Sequence, residues 1–348
     1  MDGYQIYLPI AEMTFSVPLL LGLGLCVGVL GGFFGVGGAW IVTPALNIFG
    51  FNMSFAIGTD LAHIFGKSII ATKKHSRMGN VDVKLGVISI IGSTVGVEVG
   101  AQSVMALERV GNVGSVVRWV YMFLLFGLGA YMAHDYRRAT RQQPPARSGA
   151  VAPSRPKKTM SNRLHSLRIP PMISLPTSGI DQVSVVVIVA IFLVTGFLSG
   201  FLGVGGGFVL LPSLIYLIGC PTAVAVGTSL LCVLFMAGYG CFSYAMKGRT
   251  ELVAALVMLA GAAVGAQIGV LATRFVRGYG IRLLFAIMII LAGVSVSLKQ
   301  AQHLLNIPFI GTLAGYVVLA AAGSMSLLVT LKLIQGAVAE RRQSQYTA

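Results

Sequence analysis

Apolar residues gather into eleven runs separated by short polar breaks, and none shows the strict alternation of a half-buried strand. In the first half the runs cover approximately Phe15–Phe34, Val36–Phe49, Ser54–Thr72, Leu85–Leu107 and Val116–His134. In the second they cover Val183–Leu202, Val204–Ile218, Thr222–Met246, Leu252–Thr273, Ile281–Leu298 and Pro308–Gln335. A membrane-crossing helix needs about 20 apolar residues. Most of the runs therefore predict spans, and Val36–Phe49 is too short to cross alone. It reads as half of a broken or re-entrant hairpin.

Glycine interrupts the pattern at two matching places. Gly31–Pro44 reads Gly-Gly-Phe-Phe-Gly-Val-Gly-Gly-Ala-Trp-Ile-Val-Thr-Pro, and Ser199–Pro212 reads Ser-Gly-Phe-Leu-Gly-Val-Gly-Gly-Gly-Phe-Val-Leu-Leu-Pro. Gly35, Gly37 and Gly38 thus answer Gly203, Gly205 and Gly206 at an offset of 168 residues. Glycines disfavour a continuous helix and the proline removes a backbone donor, so both copies predict helix breaks. A single copy would imply no more than a tight helix crossing. A break at membrane depth frees backbone groups that lipid cannot satisfy. Paired breaks in two halves of a chain point to the binding site of a secondary transporter, and opposed half-helix amino termini favour an anion there.

The repetition extends further. Gly58-Thr59 answers Gly227-Thr228, Gly79 answers Gly248 and Asp82 answers Glu251, all at an offset of 169; Gly92, Gly96 and Gly100 answer Gly261, Gly265 and Gly269. One change of spacing across so many matches argues for duplication. The predicted fold is all-α, a polytopic transmembrane helical bundle of two inverted repeats with paired broken or re-entrant helices. Its expected parts are a first repeat over 1–134, a linker over 135–182, a second repeat over 183–298, and an added segment and tail over 299–348.

Composition supports a membrane protein: 56% of the 348 residues are hydrophobic and 10% charged, with mean hydropathy +0.86, where a soluble domain carries about 25% charged residues. The net charge of +15 does not predict nucleic-acid binding, because no basic stripe with interleaved aromatics lies in a foldable soluble stretch. The charge sits between apolar runs. Seven of the thirteen prolines and nine of the 25 basic residues fall within Asp135–Gln182, which reads as an extended or disordered linker. Its arginines and lysines place it in the cytoplasm by the positive-inside rule, where it is either merely solvated or in contact with the anionic headgroups of membrane lipids. Counting spans from that anchor puts Lys73, Lys74, Arg77, Lys84, Arg341 and Arg342 inside as well and makes the halves an inverted repeat. Met1–Met13 lacks a basic region, so no cleaved signal peptide is expected. Cys26, Cys220, Cys232 and Cys241 form no Cys-x-x-Cys pair and read as small apolar residues.

Few ionisable residues lie inside the runs, and such residues face a bundle interior or a cavity. Asp60, His63 and Lys67 recur at spacings of three and four, along one helical face; the second half has Ser229, Cys232 and Met236 there. Either Asp60 and Lys67 neutralise each other with His63 as a spacer, or Lys67 attracts an anion while His63 and Asp60 exchange protons. Glu98 lies between Gly96 and Gly100, and its counterpart is Gln267. Both are expected in a packed interface, where Glu98 serves either proton coupling or an interhelical hydrogen bond. No phosphate loop and no His-Glu-x-x-His occurs, so neither a metal nor a cofactor is expected. An intramembrane enzyme using Asp60, His63 and Lys67 is the alternative from another class, but no serine or cysteine nucleophile is paired with His63. A non-enzyme is expected.

The doubled Gly-x-Gly-Gly motifs with following prolines, Ile57-Gly58-Thr59 with Val226-Gly227-Thr228, and Gly79-Asn80-Val81-Asp82-Val83-Lys84 resemble the sulfite exporter TauE/SafE family of membrane permeases over most of Phe15–Leu298. The resemblance implies a multi-pass plasma-membrane transporter, in the inner membrane if the cell is Gram-negative, that moves sulfite or organosulfonates and is driven by protons. Within that reading Thr59, Lys67, Thr228 and Ser229 lie near a small anionic substrate at the glycine breaks, and His63, Asp60 and Glu98 carry coupling protons. A passive anion channel is the runner-up. Three features depart from the family pattern: Asp60 in place of the serine seen at Ser229, the long linker, and the final apolar segment. The oligomeric state is not legible.

Overall fold

Both halves of the computed structural model, which describes residues 4–36, 39–141, 169–276 and 278–347, pass through the same succession of elements. The first half runs β1 (Gln5–Leu8), β2 (Met13–Ser16), α1 (Val17–Phe34), α2 (Ala39–Ile48), α3 (Met53–Arg77), α4 (Val83–Arg109) and α5 (Val113–Arg141). The second runs β3 (Met172–Leu175), β4 (Ile180–Ser184), α6 (Val185–Leu202), α7 (Gly207–Ile218), α8 (Thr222–Met246), α9 (Leu252–Ala272) and α10 (Gly278–Leu305), followed by α11 (Pro308–Thr347). Past Pro212, the last six residues of α7 widen into a π-helix; proline cannot supply the N–H that a regular turn needs.

The glycine motifs do break the helices. α1 stops at Gly35 (φ 74°) and α6 at Gly203 (φ 77°), left-handed positions that glycine adopts at little cost, and each donates its N–H to a carbonyl four residues back. At 1.5 Å rise per residue the ten residues of α2 reach only about 15 Å. Among the described residues eight helices are long and apolar enough to cross a membrane: α1, α4, α5, α6, α8, α9, α10 and α11. α3 has the same 25 residues as α8. It falls outside that set because Asp60, His63, Lys67, Lys73, Lys74 and Arg77 stand where α8 has no ionisable side chain but Cys232.

Each half completes its core with the other. α1 packs along α9 and α6 along α4, with backbones in close approach because the facing residues are small. Gly24, Gly28 and Gly32 abut the main chain of Met258, Ala262 and Ala266, and Gly196 and Gly200 abut that of Ser93 and Val97. Residue numbers rise together along both contacts, so those pairs are parallel. By contrast, Gly58 near the start of α3 touches Arg249 beyond the end of α8, and Gly227 near the start of α8 touches Asn80 beyond the end of α3. α3 and α8 are therefore antiparallel. So are α5 and α10, since Arg118 meets Gln300 and Arg282 meets Asp135.

Polar contacts tie the ends together. Glu251, capping α9, accepts from Ile10 N (2.7 Å) and Ala11 N (3.0 Å) in the β1–β2 turn, while its own N–H donates to Thr59 Oγ1 at 3.0 Å. At the opposite end Asp82, capping α4, accepts from Ser178 Oγ in the β3–β4 turn at 2.7 Å, and its N–H donates to Thr228 Oγ1 at 2.9 Å. The starts of α1, α9 and α3 thus share one end, and those of α6, α4 and α8 the other. Hence α1 with α2, and α6 with α7, are out-and-back hairpins entering from opposite ends.

Two boundaries differ from the hydrophobic pattern. The stretch read as a linker from Asp135 begins as the last turns of α5 and closes with the β3–β4 hairpin, which also takes the first residues of the run expected from Val183. The Ser178–Asp82 bond and the hairpin ladder supply a local order that composition does not reveal. Residues 142–168, with most of the linker's basic side chains, lie outside the described set.

Candidate functional site

The two breaks meet at the centre of the α3–α8 pair. A Cβ added at Gly207, the first residue of α7, would lie 2.6 Å from Val36 Cα, so the two returning segments touch through their backbones. Gly35 abuts Val226 and Gly203 abuts Ile57, the same pairing exchanged between halves. Gly205 sits between Val233 of α8 and Ile64 of α3. Gly37 and Gly38 lie outside the described residues.

The charged face of α3 passes through this crossing, buried completely. Asp60 and His63 have no exposed surface and Lys67 has 1%. Asp60 Oδ2 accepts from Thr43 N (3.0 Å) and Thr43 Oγ1 (2.9 Å), and Asp60 Oδ1 lies 3.4 Å from His63 Nδ1. Thr43 belongs to α2, one residue before Pro44, so the hairpin's own return arm holds the carboxylate. His63 Nε2 and Lys67 Nζ have no hydrogen-bond partner. Seven residues separate Asp60 from Lys67, about 10 Å of helical rise, and the two form no ion pair among the described residues. His63 stands between them in the chain and contacts Asp60, as the spacer reading expects, while Lys67 Nζ is left without a hydrogen bond.

The other expected residues fall into three groups. Thr59 and Thr228 lie buried beside the breaks, but their hydroxyl oxygens accept the backbone N–H of Glu251 and Asp82. Ser229 donates to the Gly35 carbonyl and to Val226 O (2.9 Å), closing the turn that ends α1. Glu98 is held away from the breaks by Ser243 Oγ (2.7 Å), Tyr239 OH (3.2 Å), Gln102 Nε2 (2.6 Å) and Lys247 Nζ (3.3 Å). Its counterpart Gln267 lies on the exposed face of α9, so the packed-interface placement expected of both does not hold for Gln267. The Gln267 carbonyl accepts from Lys74 Nζ of α3 at 3.2 Å, at the counterpart of the seam where Glu98 meets Ser243, but the residue itself is exposed.

Two residues enter the site that the sequence reading passed over. Thr43 is the ligand of Asp60, and its counterpart is Leu211; a carboxylate with a hydroxyl donor stands at these positions only in the first half, since the second has Leu211 and Ser229 there. Ser199 Oγ is buried, without a partner, and its Cβ lies near Gly206. It stands where the first motif has Gly31, a departure visible on aligning the two copies. Met236, which touches Gly206, occupies the place that Lys67 holds in α3.

A cavity of about 10 Å³ adjoins this centre between α2, α5 and α10. Tyr121 separates the two: it lines the cavity, donates its hydroxyl to Leu202 O (2.6 Å) at the end of α6, and stacks on Phe208 with ring centroids 6.5 Å apart. The described His, Cys, Asp and Glu residues make no cluster able to hold a metal.

Eight apolar spans around a closed polar centre define a polytopic helical protein of the membrane. The family model for sulfite exporter TauE/SafE matches residues 20–296, and the chain belongs to that family. It is 27% identical to the probable membrane transporter protein YunE of Bacillus subtilis (strain 168) over 80% of this chain and 96% of that protein. It is 28% identical to a probable membrane transporter protein of Xylella fastidiosa (strain 9a5c) over 75% of this chain and 86% of that one. No solved structure matches. The class of function is membrane transport, which points away from an enzyme.

Proposed function

We propose that the protein is a proton-coupled secondary transporter of the plasma membrane that exports small anions, sulfite or organosulfonates among them, by alternating access. The carrying observation is the buried Lys67 ammonium without a partner. An uncompensated buried charge costs several kcal/mol, and an anion arriving at the crossing of the two breaks would offset it. Gly35, Gly37, Gly38, Gly203, Gly205 and Gly206 would bring backbone N–H groups to that anion, with Ser229 and the two threonines fixing the surrounding turns. His63 Nε2, also unbonded and buried on the same face of α3, is suited to pass a proton to or from Asp60 as the anion binds.

The antiparallel relation of α3 to α8 and of α5 to α10 supports reading the halves as inverted repeats, with the two hairpins opening the site to opposite leaflets in turn. On that reading the 142–168 segment is cytoplasmic by its basic content. Coupling protons are assigned to Asp60 and His63; Glu98 and Gln267, away from the breaks, would affect only the rate at which protons arrive.

Proteoliposomes loaded with a pH-sensitive dye test this. A sulfite gradient should drive proton movement, a pH gradient should drive sulfite uphill, and Lys67→Met should abolish both. Large sulfite currents with no proton flux would replace the proposal with a passive channel, and undiminished uphill flux in Lys67→Met would remove Lys67 from the site.

A further inference from the structure

The two ends of the α5–α10 pair carry equivalent arginines in unlike company. Arg118 and Arg282 are related by an offset of 164 residues, which also relates Tyr121 to Phe285 and Gly129 to Gly293. The offset is structural as well as sequential: Gly129 packs on Ile290, and Gly293 packs on Phe126, the residue 164 positions before Ile290. Each arginine also meets the short helix of its own half, Arg118 reaching Asn47 of α2 and Arg282 lying over the Tyr216 ring of α7.

The charges then diverge. Arg282 Nη1 lies 3.6 Å from Asp135 Oδ2, so that corner is neutral. The same offset carries Asp135 to Lys299, and Arg118 therefore has an amine where Arg282 has a carboxylate. Arg118 is 8% exposed; its Nε donates to Gln300 Oε1 at 2.7 Å and its Nη1 to Asn47 Oδ1 at 3.2 Å, both neutral amide oxygens. Arg118, Lys299 and Asn47 line the cavity beside Tyr121, and no carboxylate among the described residues pairs with either cation.

We propose that this corner is a second anion subsite, in which one oxoanion bridges the Arg118 guanidinium and the Lys299 ammonium. Amide oxygens orient the guanidinium but leave its charge uncompensated, and a guanidinium fork beside an ammonium matches the oxygens of a sulfur or phosphorus oxoanion. The cavity as it stands has room for about one water molecule. Lys299, half-buried on a flexible four-carbon stem, is the wall that yields to admit the anion. The ligand is either a free oxoanion or the phosphate of an anionic lipid. In the first case the subsite is a waiting station one tyrosine away from the polar centre at the breaks, a role that rests on the transport reading; binding itself does not.

The discriminating variant is Lys299→Asp, which recreates the neutral Arg–Asp pairing of the opposite corner, tested in a Lys67→Met background that silences the central site. Detergent-purified protein is titrated with sulfite and with sulfate, following the thermal unfolding midpoint. Lys67→Met should keep a saturable rise in midpoint, and adding Lys299→Asp should weaken the apparent affinity at least tenfold while leaving the anion-free midpoint unchanged or higher. In nanodiscs, native mass spectrometry should show phosphatidylglycerol retained by Lys67→Met and lost with Lys299→Asp if lipid phosphate is the occupant. Arg118→Lys serves as a second probe should the aspartate variant not fold, with the same loss of affinity expected. Equal response of Lys67→Met and its Lys299→Asp derivative to free oxoanions and to lipid alike would overturn the subsite. Loss of the sulfite response with Lys67→Met alone, and no lipid retention, would overturn it while leaving the central site intact.

Discussion

Replacing Lys67 with methionine should make the protein more stable and inactive at once. Removing one partner from a buried ion pair costs about 3–5 kcal/mol, because the remaining charge is uncompensated. Lys67 already stands in that condition when no anion is bound: 1% exposed, two helical turns from Asp60, with no acceptor at Nζ. Methionine is close to lysine in length and shape, and Met236 shows that it fits the equivalent place against Gly206. The anion-free Lys67→Met protein is thus expected to gain on the order of 3 kcal/mol, about a hundredfold in the ratio of folded to unfolded protein. The free thiols of Cys220 and Cys232, both buried, allow unfolding in detergent to be followed with a thiol-reactive dye. An anion-free midpoint at or below that of the parent protein would refute the claim that Lys67 is uncompensated. A raised midpoint together with full sulfite flux would refute its role at the site.

Thr59→Val and Thr228→Val each leave one buried backbone N–H unpaired, at Glu251 and Asp82 respectively, and each should cost about 1–3 kcal/mol; hydrogen exchange should accelerate at those amides. Gly207→Ala forces a methyl group into the Val36 backbone and should cost about 1–3 kcal/mol by overpacking. Gly22→Ala, with open space around it, should instead gain up to about 1 kcal/mol from helix propensity, and equal effects of the two in thermal unfolding would sink the close contact of the breaks. Glu251→Ala removes the acceptor for Ile10 and Ala11, so limited proteolysis should cut the β1–β2 turn faster than in the parent while the β3–β4 turn, held by Asp82, is unaffected.

The spans and the breaks were legible because both are written locally: a run of apolar residues, a glycine that permits a left-handed turn, a proline that lacks a donor. The match between halves was legible too, and it correctly paired Gly58 with Gly227 and Asp82 with Glu251. What that match could not convey is which partner each residue meets. Thr59 read as a substrate ligand, yet it accepts a bond from Glu251, 192 positions away, and no local pattern encodes a contact of that range. Gln267 read as interfacial because Gly265 and Gly269 flank it, but the residue is exposed, with its carbonyl meeting Lys74 of α3. The hairpins at 5–16 and 172–184 escaped notice since their strands are four or five residues long and lie beside stronger helical signals. Asp60, His63 and Lys67 stood out for their cost in an apolar setting, and they do share one buried face; Thr43, an ordinary residue in an apolar run, did not.

The exchange of partners between halves bears on how the chain matures. α1 is made well before α9, yet the surface that fits its glycines belongs to α9, more than 200 residues further along. At a synthesis rate of about 5–20 residues per second, roughly 10–50 s pass before that surface exists, and lipid or an insertion chaperone must cover the exposed stripe meanwhile. Neither half is expected to be a folding unit by itself. Two polypeptides divided within 142–168 should each be degraded when made alone and survive when made together.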